Sequence, residues 1–343
     1  MKKTLLAFTA ITVLSFSPQA NARDQIHIVG SSTVYPFVTV VAEQFGSETS
    51  FRGPTVEPTG TGGGFKQFCE GTGEKFPDFS NASRPIKDSE RELCASNGVK
   101  DITEIKIGFD GIVLANAKKS PRLDLTKEQI FMALAEKIPS GDKLVANPHR
   151  NWSDIDPKLP SDKIEVYGPP TTSGTRDAFA ELVMEPACKD MPAFKSAWPD
   201  EKERAKACHL IRKDGAYIDS GENDNVIVSK LTGNPKALGV FGFSFLDQNR
   251  NVVQGSLVAG VEPAFANILD GSYGVSRSLY VYAKDAHMSV IPGMGEFVQE
   301  LVSNDALGEN GYLAGKGLIP LPAKELAEMQ KRVAPLTAKA GSQ

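Results

Sequence analysis

Three short stretches of the chain put hydroxyls and glycines where a strand-like run or a tight turn gives way to a helix. They are Gly30-Ser31-Ser32-Thr33, Thr59-Gly60-Thr61-Gly62-Gly63-Gly64 and Thr171-Thr172-Ser173-Gly174-Thr175-Arg176. A helix start leaves about four amide donors without partners and carries a partial positive charge. Each stretch can therefore aim N–H groups and a hydroxyl at one small anion, and three of them converging would make a nest for a tetrahedral oxyanion. Taken singly, each reads first as ordinary N-capping by Ser or Thr, and 60–64 reads as well as a flexible loop. The recurrence of the pattern is what points to a site.

Other chemistries find less support. The Lys and Gly spacings of a Walker A loop or a GxGxxG turn are absent, so no nucleotide is implied. Neither a Gly-x-Ser-x-Gly elbow nor His-Glu-x-x-His occurs. The carboxylate pairs Asp154/Asp156 and Glu222/Asp224 have the types needed for acid–base work, but they stand in polar, loop-like stretches where solvated surface is the default. His27, His149, His209 and His287 are scattered and there is no Cys-x-x-Cys, which argues against a zinc site. His27 lies in a strand-like run and reads as structural.

The elements that must position these turns alternate along the chain. Apolar runs at 26–29, 34–45, 105–116, 125–137, 164–167, 176–184, 226–231, 279–283 and 295–302 mix strand-like and helical patterns, which reads as α/β. Val34, Phe37, Val38, Val41 and Phe45 recur at helical spacing, with Pro36 in the first turn and Gly46 past the end, and predict the first helix. Thr126 with Gln129 three residues on has a capping-box pattern. After about Val333, Ala, Lys, Gly and Ser dominate and predict a mobile tail.

The 343 residues, 41% apolar and 23% charged, make a globular chain of about two domains. Residues 1–22 read as a secretory signal, with Lys2 and Lys3, an apolar run from Leu5 to Phe16 and the small-x-small site Ala20-Asn21-Ala22. That run is too short to cross a bilayer as a helix. No Cys follows the cleavage point, where Arg23 stands, so no lipid anchor is expected. Losing two lysines makes the net charge of −4 more negative, and with no basic footprint nucleic acid is a poor partner.

Export places Cys69, Cys94, Cys188 and Cys208 in an oxidising compartment. Three pairings are open. Cys69 with Cys94 and Cys188 with Cys208 are favoured, because each pair is close in sequence and within one predicted lobe. Each bridge would contribute about 3 kcal/mol by restraining the unfolded chain.

Over nearly the whole mature chain the sequence resembles the PstS-like periplasmic phosphate-binding proteins of ABC transporters. The likeness rests on Gly30-Ser31-Ser32-Thr33 with Tyr35-Pro36, on Thr61-Gly62-Gly63-Gly64-Phe65-Lys66-Gln67, on Asp78-Phe79-Ser80-Asn81-Ala82-Ser83-Arg84-Pro85 and on Ser173-Gly174-Thr175-Arg176-Asp177-Ala178-Phe179. Two further stretches agree: Leu125-Thr126-Lys127-Glu128-Gln129-Ile130 followed by Asn151-Trp152-Ser153-Asp154-Ile155, and Ala237-Leu238-Gly239-Val240-Phe241-Gly242.

The resemblance implies a type II binding protein of two α/β lobes, each a mixed sheet flanked by helices, joined by two crossing strands near 107–114 and 274–282. Lobe one would combine 23–108 with 282–343, and lobe two would span 109–281. Ser32, Thr33, Thr61, Ser83, Ser173, Gly174 and Thr175 would contact phosphate. Where the family has an Asp that accepts the phosphate proton this chain has Ser83, and where it has an Arg before the third turn this chain has Pro169. The positive charge would then come from Arg84 or Arg176, each beside a motif, and the acceptor from Ser83 itself, Asp110, Glu222 or Asp224. The implied function is capture of inorganic phosphate in the periplasm for an inner-membrane ABC permease, by a monomer without cofactor, metal or catalytic residues. Two alternatives remain: the same fold holding another oxyanion or phosphorylated compound, and a secreted phosphatase using Ser32 or Ser173, which lacks a base beside either serine.

Overall fold

A computed structural model describes residues 23–340 apart from 172 and 222. The signal segment 1–22 lies outside the described residues. In the first part of the chain, β1 (Gln25–Gly30) lies between β2 (Arg52–Pro58) and β3 (Phe79–Ala82), all parallel. Parallel neighbours need helical crossovers, supplied by α1 (Tyr35–Glu48) and α2 (Thr61–Phe68). α1 buries Phe37, Val38, Val41, Ala42 and Phe45 along one face and carries Pro36 in its first turn, as their spacing requires. After α3 (Asp88–Ser96), β4 (Ile102–Ala117) runs for 16 residues.

The second part repeats the grammar. The α4 helix (Lys127–Leu134) opens on the capping box, with Gln129 N donating to Thr126 Oγ1 and Thr126 N to Gln129 Oε1. Then come β5 (Val166–Gly168), α5 (Gly174–Phe179) extended by a wider π turn at Ala180–Met184, β6 (Tyr217–Asp219), α6 (Asp224–Gly233), β7 (Leu238–Gly242) and β8 (Val253–Gly255). The chain returns through β9 (Ser276–Lys284) to α7 (Met294–Leu301) and α8 (Ala323–Ala340).

The strand order is β2-β1-β3-β9-β4-β7-β5-β6, with β8 beside β4. Two lobes share this path because β4 belongs to both: residues 102–111 pair with β9, and 112–115 pair with β7. The crossing is pinned from one side. Gly108 has φ of +150°, and a Cβ there would lie 2.6 Å from the Ile319 carbonyl oxygen, which itself accepts from Phe109 N at 2.9 Å.

Both favoured disulfides, Cys69–Cys94 and Cys188–Cys208, are present, the first tying α3 to the end of α2. The expectation of a mobile tail after about Val333 is corrected up to residue 340, and 341–343 lie outside the described residues. α8 continues to Ala340 and buries Val333 and Leu336, because apolar residues recur at helical spacing among the small ones. Among the described residues no helix is long and apolar enough to cross a membrane.

Lys284 ends β9 fully buried, its Nζ donating to the Gly71 carbonyl at 2.7 Å and lying 4.8 Å from the Phe68 ring centroid. Burial pushes its pKa from 10.5 down to about 8. Between those values the unfolded chain holds a proton that the native chain lacks, so stability rises with pH. Tyr167, Tyr217, Tyr273, Tyr280, Tyr282 and Tyr312, all raised chiefly by burial, oppose this increasingly as unfolded-state tyrosines ionise toward pH ~10. Urea unfolding is expected to show a net gain of about 1 kcal/mol from pH ~7.5 to ~9.5, and Lys284→Met is expected to remove it. Equal slopes in the two proteins would remove Lys284 as its source.

Candidate functional site

The first turn is shaped by two close approaches. β1 ends at Gly30, with φ of +128°, where a Cβ would lie 2.2 Å from the Asn81 carbonyl oxygen of β3, so only glycine lets the chain leave the sheet here. Ser31 N then donates to Asn81 O at 2.9 Å, and Val34 N donates to Ser31 Oγ at 3.4 Å. Ser31 thus does the local capping, which leaves the hydroxyls of half-buried Ser32 and buried Thr33 for other partners.

The second turn sits directly on the first. Gly60, with φ of +74°, leads into α2 at Thr61, and Gly64 one turn on would place a Cβ 2.4 Å from Gly30 Cα. That packing brings Thr61 to the end of β3, where Ser83 N donates to Thr61 Oγ1 at 3.2 Å and the two hydroxyl oxygens lie 3.1 Å apart.

The third turn comes from the other lobe. Ser173 is buried, and its hydroxyl makes no capping bond to α5. A Cβ on Gly174 would meet Ser32 O at 3.5 Å and Thr33 Cα at 3.6 Å, so the third turn lies against the first across the cleft. Thr175 follows, half-buried. The structure therefore brings Ser32 and Thr33 together with Gly174, and Thr61 together with Ser83.

The two arginines beside the motifs are otherwise engaged. Arg84 makes a two-pronged pair with Glu90, both contacts 2.8 Å. Burial works to raise the Glu90 carboxyl, but the bonds from Arg84 and the Lys87 amide outweigh it and hold it below its usual value. Arg176 reaches the Pro169 carbonyl at 3.4 Å and lies 4.1 Å over the Tyr217 ring, while Tyr217 OH donates to the same carbonyl at 2.8 Å. Of the acidic candidates, Asp224 accepts from Gly242 N at 3.1 Å, and Glu222 lies outside the described residues.

One residue that the sequence reading missed touches the first turn. Arg277 of β9 donates from Nη2 to Thr33 Oγ1 at 2.7 Å, pairs through Nη1 with Glu181 of the π turn, and sets Nε 3.6 Å from Asp110 Oδ2. Burial raises the Asp110 carboxyl while Arg277 opposes the shift. Arg277 sits in a strand with no turn motif around it. The one available signal was a lone arginine placed by register opposite Asp110 on β4. Among the described residues no cluster of His, Cys, Asp or Glu is arranged for a metal ion.

A family model described as the PBP superfamily domain matches residues 16–305. Phosphate-binding protein PstS of Staphylococcus saprophyticus is 32% identical over 310 residues, 89% of this chain and 82% of that one. The chain is a PstS-like member of the PBP superfamily. Within that superfamily, the crystal structure of a possible phosphate binding protein from Planctomyces limnophilus superposes with a TM-score of 0.73 at 26% identity, covering 91% of this chain and 98% of the other. PstS from Borrelia burgdorferi, 16% identical with a TM-score of 0.58 over 88% of this chain and all of its own, shares the fold. The PstS-like assignment accounts for the shared architecture of two α/β lobes joined by crossing strands.

Proposed function

We propose that this protein captures inorganic phosphate between its lobes in the periplasm and delivers it to an inner-membrane ABC permease, making and breaking no bond. The observation that carries the reading is the approach of the third turn to the first, with Gly174 against Ser32 and Thr33. It brings a helix start of one lobe against a helix start of the other, in a chain whose relatives are named phosphate-binding proteins. Ser32, Thr33, Thr61, Ser83, Ser173, Gly174 and Thr175 are the contacts, with lobe one formed by 23–108 and 282–343 and lobe two by 109–281. The segment 1–22 directs export and is cleaved, and the mature protein acts as a monomer.

Binding favours the closed arrangement because the anion contacts both lobes only there. Calorimetric titration with phosphate is expected to give saturable one-to-one heat and a melting shift that grows with ligand concentration. Sulfate, arsenate and phosphonates added in competition identify the preferred oxyanion, and p-nitrophenyl phosphate is expected to stay intact. No heat and no melting shift at millimolar phosphate defeats the reading.

A further inference from the structure

Arg277 stands where the two lobes and both crossing strands meet. Its side chain is only 11% exposed. The β9 register sets it opposite Asp110 on β4. Its guanidinium touches Thr33 in the first turn and Glu181 on the helix that begins at the third. Its Nε and the facing Asp110 Oδ2 are both buried without a hydrogen-bond partner, an expensive state for charged groups that only their mutual attraction across 3.6 Å offsets. The two carboxylates differ in their freedom. Asp110 is 13% exposed and built into a strand, whereas Glu181 is 45% exposed on a helix surface. Asp110 is thus a fixed counter-charge beside the guanidinium, and Glu181 is the partner that can leave.

A carboxylate and a tetrahedral oxyanion present the same feature to an arginine: two oxygens that share negative charge and accept from the guanidinium fork. We infer that Arg277 is the cationic member of the anion site, and that Glu181 occupies its fork until the bound anion takes that place. This deepens the phosphate reading and rests on it. Arg84 is held by Glu90, which is only 15% exposed and also accepts from Lys87 N, and Arg176 lies over the Tyr217 ring beside the Pro169 carbonyl, so neither has a partner as free to leave as Glu181. Displacement of Glu181 costs part of the ligand's binding energy, so the empty site carries its own competitor.

The test is calorimetric titration of wild type, Arg277→Gln, Arg277→Lys, Glu181→Gln and the Arg277→Gln/Glu181→Gln double variant with phosphate and with sulfate, alongside ligand-free melting. Arg277→Gln is expected to weaken phosphate binding about 30-fold, and Arg277→Lys, which keeps the charge and loses the fork, about tenfold. Glu181→Gln, a half-exposed position, is expected to tighten binding about fivefold, and to do nothing once Arg277 is gone. That loss of coupling is a readout that a merely structural arginine would not move. Binding by Arg277→Gln within about threefold of wild type, or weaker binding by Glu181→Gln, overturns the assignment. Should Arg277→Gln not fold, Arg277→Lys and Glu181→Gln decide by the same criteria. Heat from wild type with unchanged variants ends the assignment alone, whereas no heat from wild type with either anion ends the functional reading as well.

Discussion

Asp78→Ala is expected to lower the unfolding free energy by about 3 to 5 kcal/mol. The Asp78 carboxylate is fully buried just before β3, where it accepts from Arg23 Nη2 at 2.7 Å, His27 N at 2.7 Å and His287 Nδ1 at 2.6 Å. His287 Nε2 accepts from Gly73 N at 2.9 Å, which assigns the ring proton to Nδ1 and makes His287 a donor to Asp78. Alanine would leave a largely buried guanidinium, a strand amide and an imidazole without their acceptor, and each orphaned donor keeps its full desolvation penalty. Asp78→Asn keeps one acceptor oxygen and is expected to lose less. Because β3 follows at once and ends beside Ser83, loosening here reaches the anion site. Urea unfolding followed by circular dichroism measures the effect, and a loss under about 1 kcal/mol would mean that the cluster is not a staple.

Gly64→Ala is expected to weaken phosphate binding about 100-fold and to cost about 2 to 3 kcal/mol of stability. The new Cβ would stand 2.4 Å from Gly30 Cα, 3.0 Å from Gly30 N and 2.9 Å from Ser80 Oγ. Two of these three atoms are backbone in a strand paired on both sides, so the helix must move and not its neighbour. Moving α2 carries Thr61 away from Ser83 and parts the second turn from the first. Gly62→Ala, with nothing within 4 Å of its added Cβ, is the control for stability. Since alanine is the better helix former, that variant is expected to be at least as stable as wild type. Wild-type affinity in Gly64→Ala would refute the claim that this contact sets the site.

Much of the fold was legible because its signals are local. The α1 stripe, the Thr126 capping box and the three helix starts are each written within a few residues, at distances fixed by helix geometry. Cysteine pairing was legible by proximity, at separations of 25 and 20 residues. The site was legible only in outline. Ser31, and not Ser32 or Thr33, caps the first turn, a choice made by the close passage of Gly30 against Asn81. Arg84 and Arg176 stand beside the motifs in sequence, and in the structure the first pairs with Glu90 while the second lies over the Tyr217 ring.

By itself the sequence determined which residues could start helices, which turns could present amides and hydroxyls to an anion, and which family the chain resembles. Only the tertiary structure set an arginine of β9 against the first turn and the helix that begins at the third. Arg277 lies 244 residues from Thr33 and 96 from Glu181, and what joins them is the register of β9 on β4 together with the approach of the third turn to the first. Hydrogen bonding along a helix is settled by the neighbours in the chain. The partner of a strand residue is settled by whichever strand lies alongside, and a single residue of slip turns its side chain to the other face.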